Sequence, residues 1–110
     1  QMCIRDRLNI FEKNKDQIFY NLASAQLLNF DYQKAINNYT KSIEYDNNDA
    51  YAYLYRGTGK FKLGDYEGAS KDYGKSLEIN KRSYIALNNR GVSQFKLKNY
   101  KVALENFEKL

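Results

Sequence analysis

The chain has 110 residues, 43% apolar and 28% charged, with a net charge of +5, the make-up of one folding domain with a modest core. A single cysteine, Cys3, and the absence of histidine exclude an internal disulfide and the usual ligand set of a structural zinc. No stretch approaches the ~18 consecutive apolar residues of a membrane span, and the start lacks the apolar core of a signal peptide, so a soluble chain is expected, its compartment open with the cytoplasm favoured.

The opening QMCIRDR matches nothing downstream and looks like translated adapter sequence, so residues 1–7 are expected to be an artefactual or disordered leader. With no proline, six glycines and helix formers throughout, the remainder reads as all-α. Helices are predicted over residues 16–29, 32–46, 50–63, 66–79, 84–97 and 100–110. The breaks fall at Phe30-Asp31, Gly64-Asp65 and Lys98-Asn99, where Gly64 suits a left-handed helix end and Asp31, Asp65 or Asn99 can cap the next helix. Between pairs, Asn47-Asn48-Asp49 and Asn80 supply turn chemistry. Such short links require antiparallel neighbours.

FKLGDYEGA at 61–69 returns as FKLKNYKVA at 95–103, an interval of 34 residues. On that period Phe19, Tyr53 and Leu87 align, as do Ala23, Gly57 and Gly91; Tyr32, Tyr66 and Tyr100; Ala35, Ala69 and Ala103; and Tyr39, Tyr73 and Phe107. A fixed period of this size predicts a solenoid whose units contact only their neighbours. Small residues are expected where paired helices approach, with the aromatics of both recurring classes filling the core around them.

The order large apolar, small, aromatic, small, aromatic resembles that of the tetratricopeptide repeat family. The resemblance implies a right-handed superhelix of antiparallel helix pairs, with repeats at 16–49, 50–83 and a truncated 84–110. Residues 8–15, with Leu8 and Phe11, are then the tail of a preceding repeat, and the chain is a fragment of a longer array whose exposed terminal helices can self-associate. Arg56-Gly57 and Arg90-Gly91 resemble a subgroup with arginine and glycine at repeat positions 7 and 8. There, either Arg56 or Arg90 reaches Asp72, because a fork-shaped acceptor offsets the desolvation of a guanidinium; the alternative is that the stem packs and the head stays in water.

No catalytic constellation is visible and no cofactor is implied. The commonest base is missing, the carboxylates fall at turns or exposed faces, and GTGKF at 57–61 lacks Walker spacing. The 11 tyrosines sit largely at repeat core positions and the net charge is modest, so nucleic-acid binding is not expected. Charge is uneven, with two Lys/Arg against five Asp/Glu in residues 16–49 but seven against four in 50–83.

In the family, one face of each first helix lines a concave groove. Carried over, it contains Tyr20, Asn21 and Ser24; Tyr51, Leu54, Tyr55, Thr58 and Lys62; and Asn88, Asn89, Val92 and Lys96. These form the expected partner-binding set, with Lys62 and Lys96 favouring an acidic ligand. The family's two-carboxylate clamp for chaperone tails requires cations and amides where this chain has Tyr20, Ser24, Tyr55, Ile85 and Asn89, so that mode is not expected. The resemblance thus implies a non-enzymatic module binding a protein or peptide, or alternatively an accessory segment of a larger enzyme such as a transferase.

Overall fold

The computed structural model describes residues 14–110; the expected leader and most of the expected tail at 8–15 lie outside them. Among the described residues six helices follow one another: α1 Lys15–Leu28, α2 Tyr32–Tyr45, α3 Ala50–Lys62, α4 Tyr66–Ile79, α5 Tyr84–Lys96 and α6 Tyr100–Glu108. No strand occurs among the described residues. Each helix packs on its neighbours in chain order. The result is an α solenoid of 58 × 27 × 17 Å, with a radius of gyration of 16.0 Å, where a compact domain of this length has about 13 Å.

The turn inside each pair has one geometry. Phe30, Gly64 and Lys98 adopt φ of 64°, 85° and 65°. The amides of Asp31, Asp65 and Asn99 each donate to the carbonyl five residues back, all at 2.9 Å, the longer bond of the Schellman end. The capping expectation needs correction at two of three sites, since only the Asp65 side chain accepts a helix amide, that of Gly68. Asp31 instead accepts from Asn29, and Asn99 donates to Gln94, both at 2.9 Å. Between pairs the working turn residue is Asp46 rather than Asn47: Asp46 and Asn80 accept from the amides of Asn48 and Arg82, and Asp49 and Ser83 cap α3 and α5.

The core sits where each pair closes. Ala23, Ala35, Ala69 and Ala103 are at most 2% exposed, and Tyr39 and Tyr73 are equally buried. The close approach is of a small residue against a ring rather than of two small residues. A Cβ at Gly91 would stand 2.5 Å from Phe107 Cε1, and one at Gly57 3.0 Å from Tyr73 Cε1. The other aromatic class is not core as expected, because Tyr32 and Tyr66 are half-buried and Tyr100 is 56% exposed. These rings pack edge-on to the preceding turn, with Phe61–Tyr66 and Phe95–Tyr100 centroids at 5.0 and 5.4 Å. Ser42 and Ser76 donate to the carbonyls of Asp16 and Ala50 at 2.7 and 2.9 Å, tying the end of each second helix to the start of the first.

Candidate functional site

The arginine at the start of the second repeat finds its acceptor. Arg56 Nε and Nη2 donate to the two carboxylate oxygens of Asp72 at 2.9 and 2.7 Å, and Nη1 donates to Thr40 Oγ1 at 3.2 Å. Lys60 Nζ adds a contact of 3.0 Å to the same carboxylate, which is 4% exposed as a residue. A buried carboxylate needs this many donors to offset desolvation. Arg90, at the equivalent place, donates Nε to the neutral Asn106 Oδ1 at 2.6 Å, so Arg56 and not Arg90 makes the ion pair. These contacts fix α3 to α4 and α5 to α6, leaving the side of α3 and α5 that carries residues 58, 62, 89 and 92 facing away from them.

Along that side the structure forms two pockets at the same place in successive repeats. The first, about 270 Å³, is lined by Tyr20, Ser24, Leu27, Leu28, Tyr39 and Tyr55. The second, about 210 Å³, is lined by Thr58, Phe61, Lys62, Tyr73, Asn89 and Val92. Five linings correspond across the 34-residue period: Ser24 with Thr58, Leu27 with Phe61, Leu28 with Lys62, Tyr39 with Tyr73 and Tyr55 with Asn89. A side chain that enters one pocket therefore has a geometrically equivalent neighbour site one repeat on, of different chemistry.

The first pocket is walled by tyrosine. Tyr20 meets Tyr39 edge-on at 5.7 Å, Tyr55 lies 6.3 Å from Tyr39 and 6.4 Å from Tyr20, and Tyr51 stacks on Tyr55 at 6.2 Å. Burial, then the neighbouring phenols of Tyr55 and Tyr39 and the Asp49 carboxylate, push the Tyr20 hydroxyl up to about 12. Burial also raises Tyr39 and Tyr73, against the opposing effect of their hydrogen bonds to Ser24 and Thr58. All three are neutral donors near pH 7. The pocket floors are the pairs Ser24–Tyr39 and Thr58–Tyr73, at 2.9 and 3.2 Å between hydroxyl oxygens.

Of the expected binding residues, Tyr20, Ser24, Tyr55, Thr58, Lys62, Asn89 and Val92 line these pockets. Tyr51, at 60% exposure, stacks on Tyr55 of the first pocket, and Asn21, Asn88 and Lys96 are exposed and line neither pocket. Asn21 accepts from Gln17 at 2.9 Å. Leu54 must be corrected: it is 5% exposed and packs with Ala69, Tyr73 and Ala86, because the helix turns it inward to fill the seam between α3, α4 and α5. Tyr39 and Tyr73 were missed as pocket residues. Their signal lay in the sequence, as a hydroxyl residue fifteen positions before each tyrosine and Val92 before Phe107.

Among the described residues no group of His, Cys, Asp or Glu is placed to hold a metal ion, and no helix is long and apolar enough to cross a membrane.

The family profile described as tetratricopeptide repeat matches residues 16–49 and 50–83. No curated protein matches the sequence. Among solved structures the chain is similar to the Arabidopsis OM64 TPR domain, with 24% identity, a TM-score of 0.84, and 89% of this chain and 81% of that one covered. It is also similar to the second TPR of Spaghetti (RPAP3) bound to HSP90 peptide SRMEEVD, with 24% identity, a TM-score of 0.83 and coverages of 96% and 94%. A third is the second TPR domain of human RPAP3 in complex with HSP70 peptide SGPTIEEVD, with 22% identity, a TM-score of 0.81 and coverages of 90% and 80%.

Proposed function

Because the chain belongs to the tetratricopeptide repeat family, we propose that it is a binding module that lays an extended segment of another protein along α1, α3 and α5. The observation that carries this reading is the pair of pockets built from equivalent residues one repeat apart. A solenoid that repeats its pocket offers side-chain sites at a fixed interval, which suits an extended ligand. A preformed surface also lowers the ordering cost of binding.

The two sites differ in chemistry, and this sets the ligand's polarity. The tyrosine-walled pocket takes an apolar or aromatic anchor, with area supplied by rings that have little entropy to lose. Lys62, beside the second pocket, and Lys96, one repeat further on, are exposed and take part in no ion pair among the described residues. They favour a carboxylate at that end. The RPAP3 structures hold peptides ending in EEVD; in this chain Tyr20, Ser24, Tyr55, Ile85 and Asn89 stand where the clamp has cations and amides, so the main anchor is aromatic burial and the acidic end is secondary.

A peptide-display selection against the folded chain tests this. Selected ligands should pair an apolar anchor with an acidic residue, and Tyr55→Ala with Asn89→Ala should weaken them at least tenfold while the helical circular dichroism is unchanged. Undiminished binding to that double variant would place the ligand elsewhere and end the groove reading.

A further inference from the structure

A third pocket, of about 270 Å³, opens on the other face of α5, where Lys81 and Ser83 of the preceding turn meet Tyr84, Arg90 and Lys109. Leu87 and Arg90 are turned away from Asn89 and Val92 by helical geometry, and no residue lines both this pocket and either of the two described above. Three cations line it and no carboxylate does. Among the described residues none of the three is in a salt bridge.

The seam one repeat earlier shows what is missing. There Arg56 is neutralised by Asp72 and its Nη1 is met by Thr40. At Arg90 both acceptors have been replaced: Asp72 corresponds to Asn106 and Thr40 to Gly74. Asn106 takes only the Nε proton. Gly74 offers no side-chain acceptor, and the guanidinium lies over it, Nη1 being 3.5 Å from where a Cβ would stand. Glycine inside a helix costs about 1 kcal/mol relative to alanine, and here it clears the space beside the arginine. The turn changes sign as well, since Asn47 and Asp49 of the first seam become Lys81 and Ser83 in the second.

We propose that this seam is an anion site for a phosphoryl group, gripped by the free Nη edge of Arg90 with Lys81 and Lys109 beside it. The guanidinium fork matches two oxygens of a tetrahedral dianion, and the ammonium groups supply charge without fixed geometry. Ser83 and Tyr84 also line the pocket, and the Ser83 hydroxyl, which accepts from the Ala86 amide, keeps its proton to donate.

The test is an NMR titration of the folded chain with inorganic phosphate, at ionic strength held constant with chloride. Expected are saturable shifts at the Arg90 Nε–H and the Ser83 and Tyr84 amides, with Kd in the ~millimolar range for so small a probe. The same titration with O-phosphoserine separates sources: tighter binding than phosphate assigns a phosphorylated side chain, weaker binding a free anion. Gly74→Thr with Asn106→Asp rebuilds the acceptors of the first seam, and should weaken phosphate at least tenfold without lowering the melting temperature. Lys81→Gln, in an exposed turn, should weaken it severalfold and carries the test if the double variant misfolds. Non-saturating shifts, equal binding by those variants, or acetate binding as tightly as phosphate would overturn the proposal.

Discussion

Thr58 and Tyr73 place their hydroxyl oxygens 3.2 Å apart at the floor of the second pocket, Ser24 and Tyr39 do the same at 2.9 Å in the first, and the equivalent pair in the third repeat is Val92 and Phe107. Both hydroxyls have gone together. A buried hydroxyl left alone costs about 1–3 kcal/mol, whereas removing both members of a pair is nearly neutral.

Thr58→Val or Tyr73→Phe alone should therefore lower stability by about 1 kcal/mol each, and the double variant by less than their sum, with a coupling of about 0.5–1.5 kcal/mol. Urea unfolding of the four-member cycle measures this. Strict additivity would show that the two hydroxyls do not depend on one another.

Asp72→Ala should cost about 3–5 kcal/mol, since it leaves Arg56 and Lys60 around an emptied acceptor site. Asp72→Asn should cost less, about 1.5–3 kcal/mol, because an amide oxygen can still take one guanidinium bond, as Asn106 does for Arg90. Thermal denaturation followed by circular dichroism reads both. An unchanged melting temperature for both variants would make the buried pair energetically idle.

Lys98 holds φ of 65° where the equivalent Gly64 holds 85°. A residue with a Cβ pays about 1–2 kcal/mol in that conformation, so Lys98→Gly should raise stability by about 1 kcal/mol. Gly64→Ala should lower it by a similar amount. The two melting shifts should have opposite signs.

Alkaline stability follows from Tyr20, Tyr39 and Tyr73, whose hydroxyls ionise less readily in the fold than the ordinary tyrosine value of 10.0. A raised folded value means that the folded state keeps its proton after the unfolded chain has lost it. Their contribution is full below pH 10.0 and declines as pH rises through the folded values, about 12 for Tyr20. The urea midpoint should fall steadily above about pH 10, and Tyr20→Phe should flatten that slope.

Much of the fold was legible because a 34-residue period records an obligation that every unit shares. Ala35, Gly57, Ala69, Gly91 and Ala103 had to be small wherever two helices close, and each is buried. Helix ends were equally local, fixed by the left-handed residue that ends each first helix. Which residues share a helix face was legible too, since helical geometry alone assigns them.

What the sequence could not carry was anything settled by a neighbour from another unit. Leu54 shares a helical face with Tyr51 and Tyr55 but is buried by packing against Ala69, Tyr73 and Ala86, and Tyr100 is exposed where Tyr66 is half-covered. By itself the sequence determined the repeating helix pair, because its spacing reflects contacts within one unit and with the next of the same kind. Only the tertiary structure decided that Arg56 holds Asp72 while Arg90 keeps its Nη edge open, because the choice depends on acceptors sixteen residues away on two other helices.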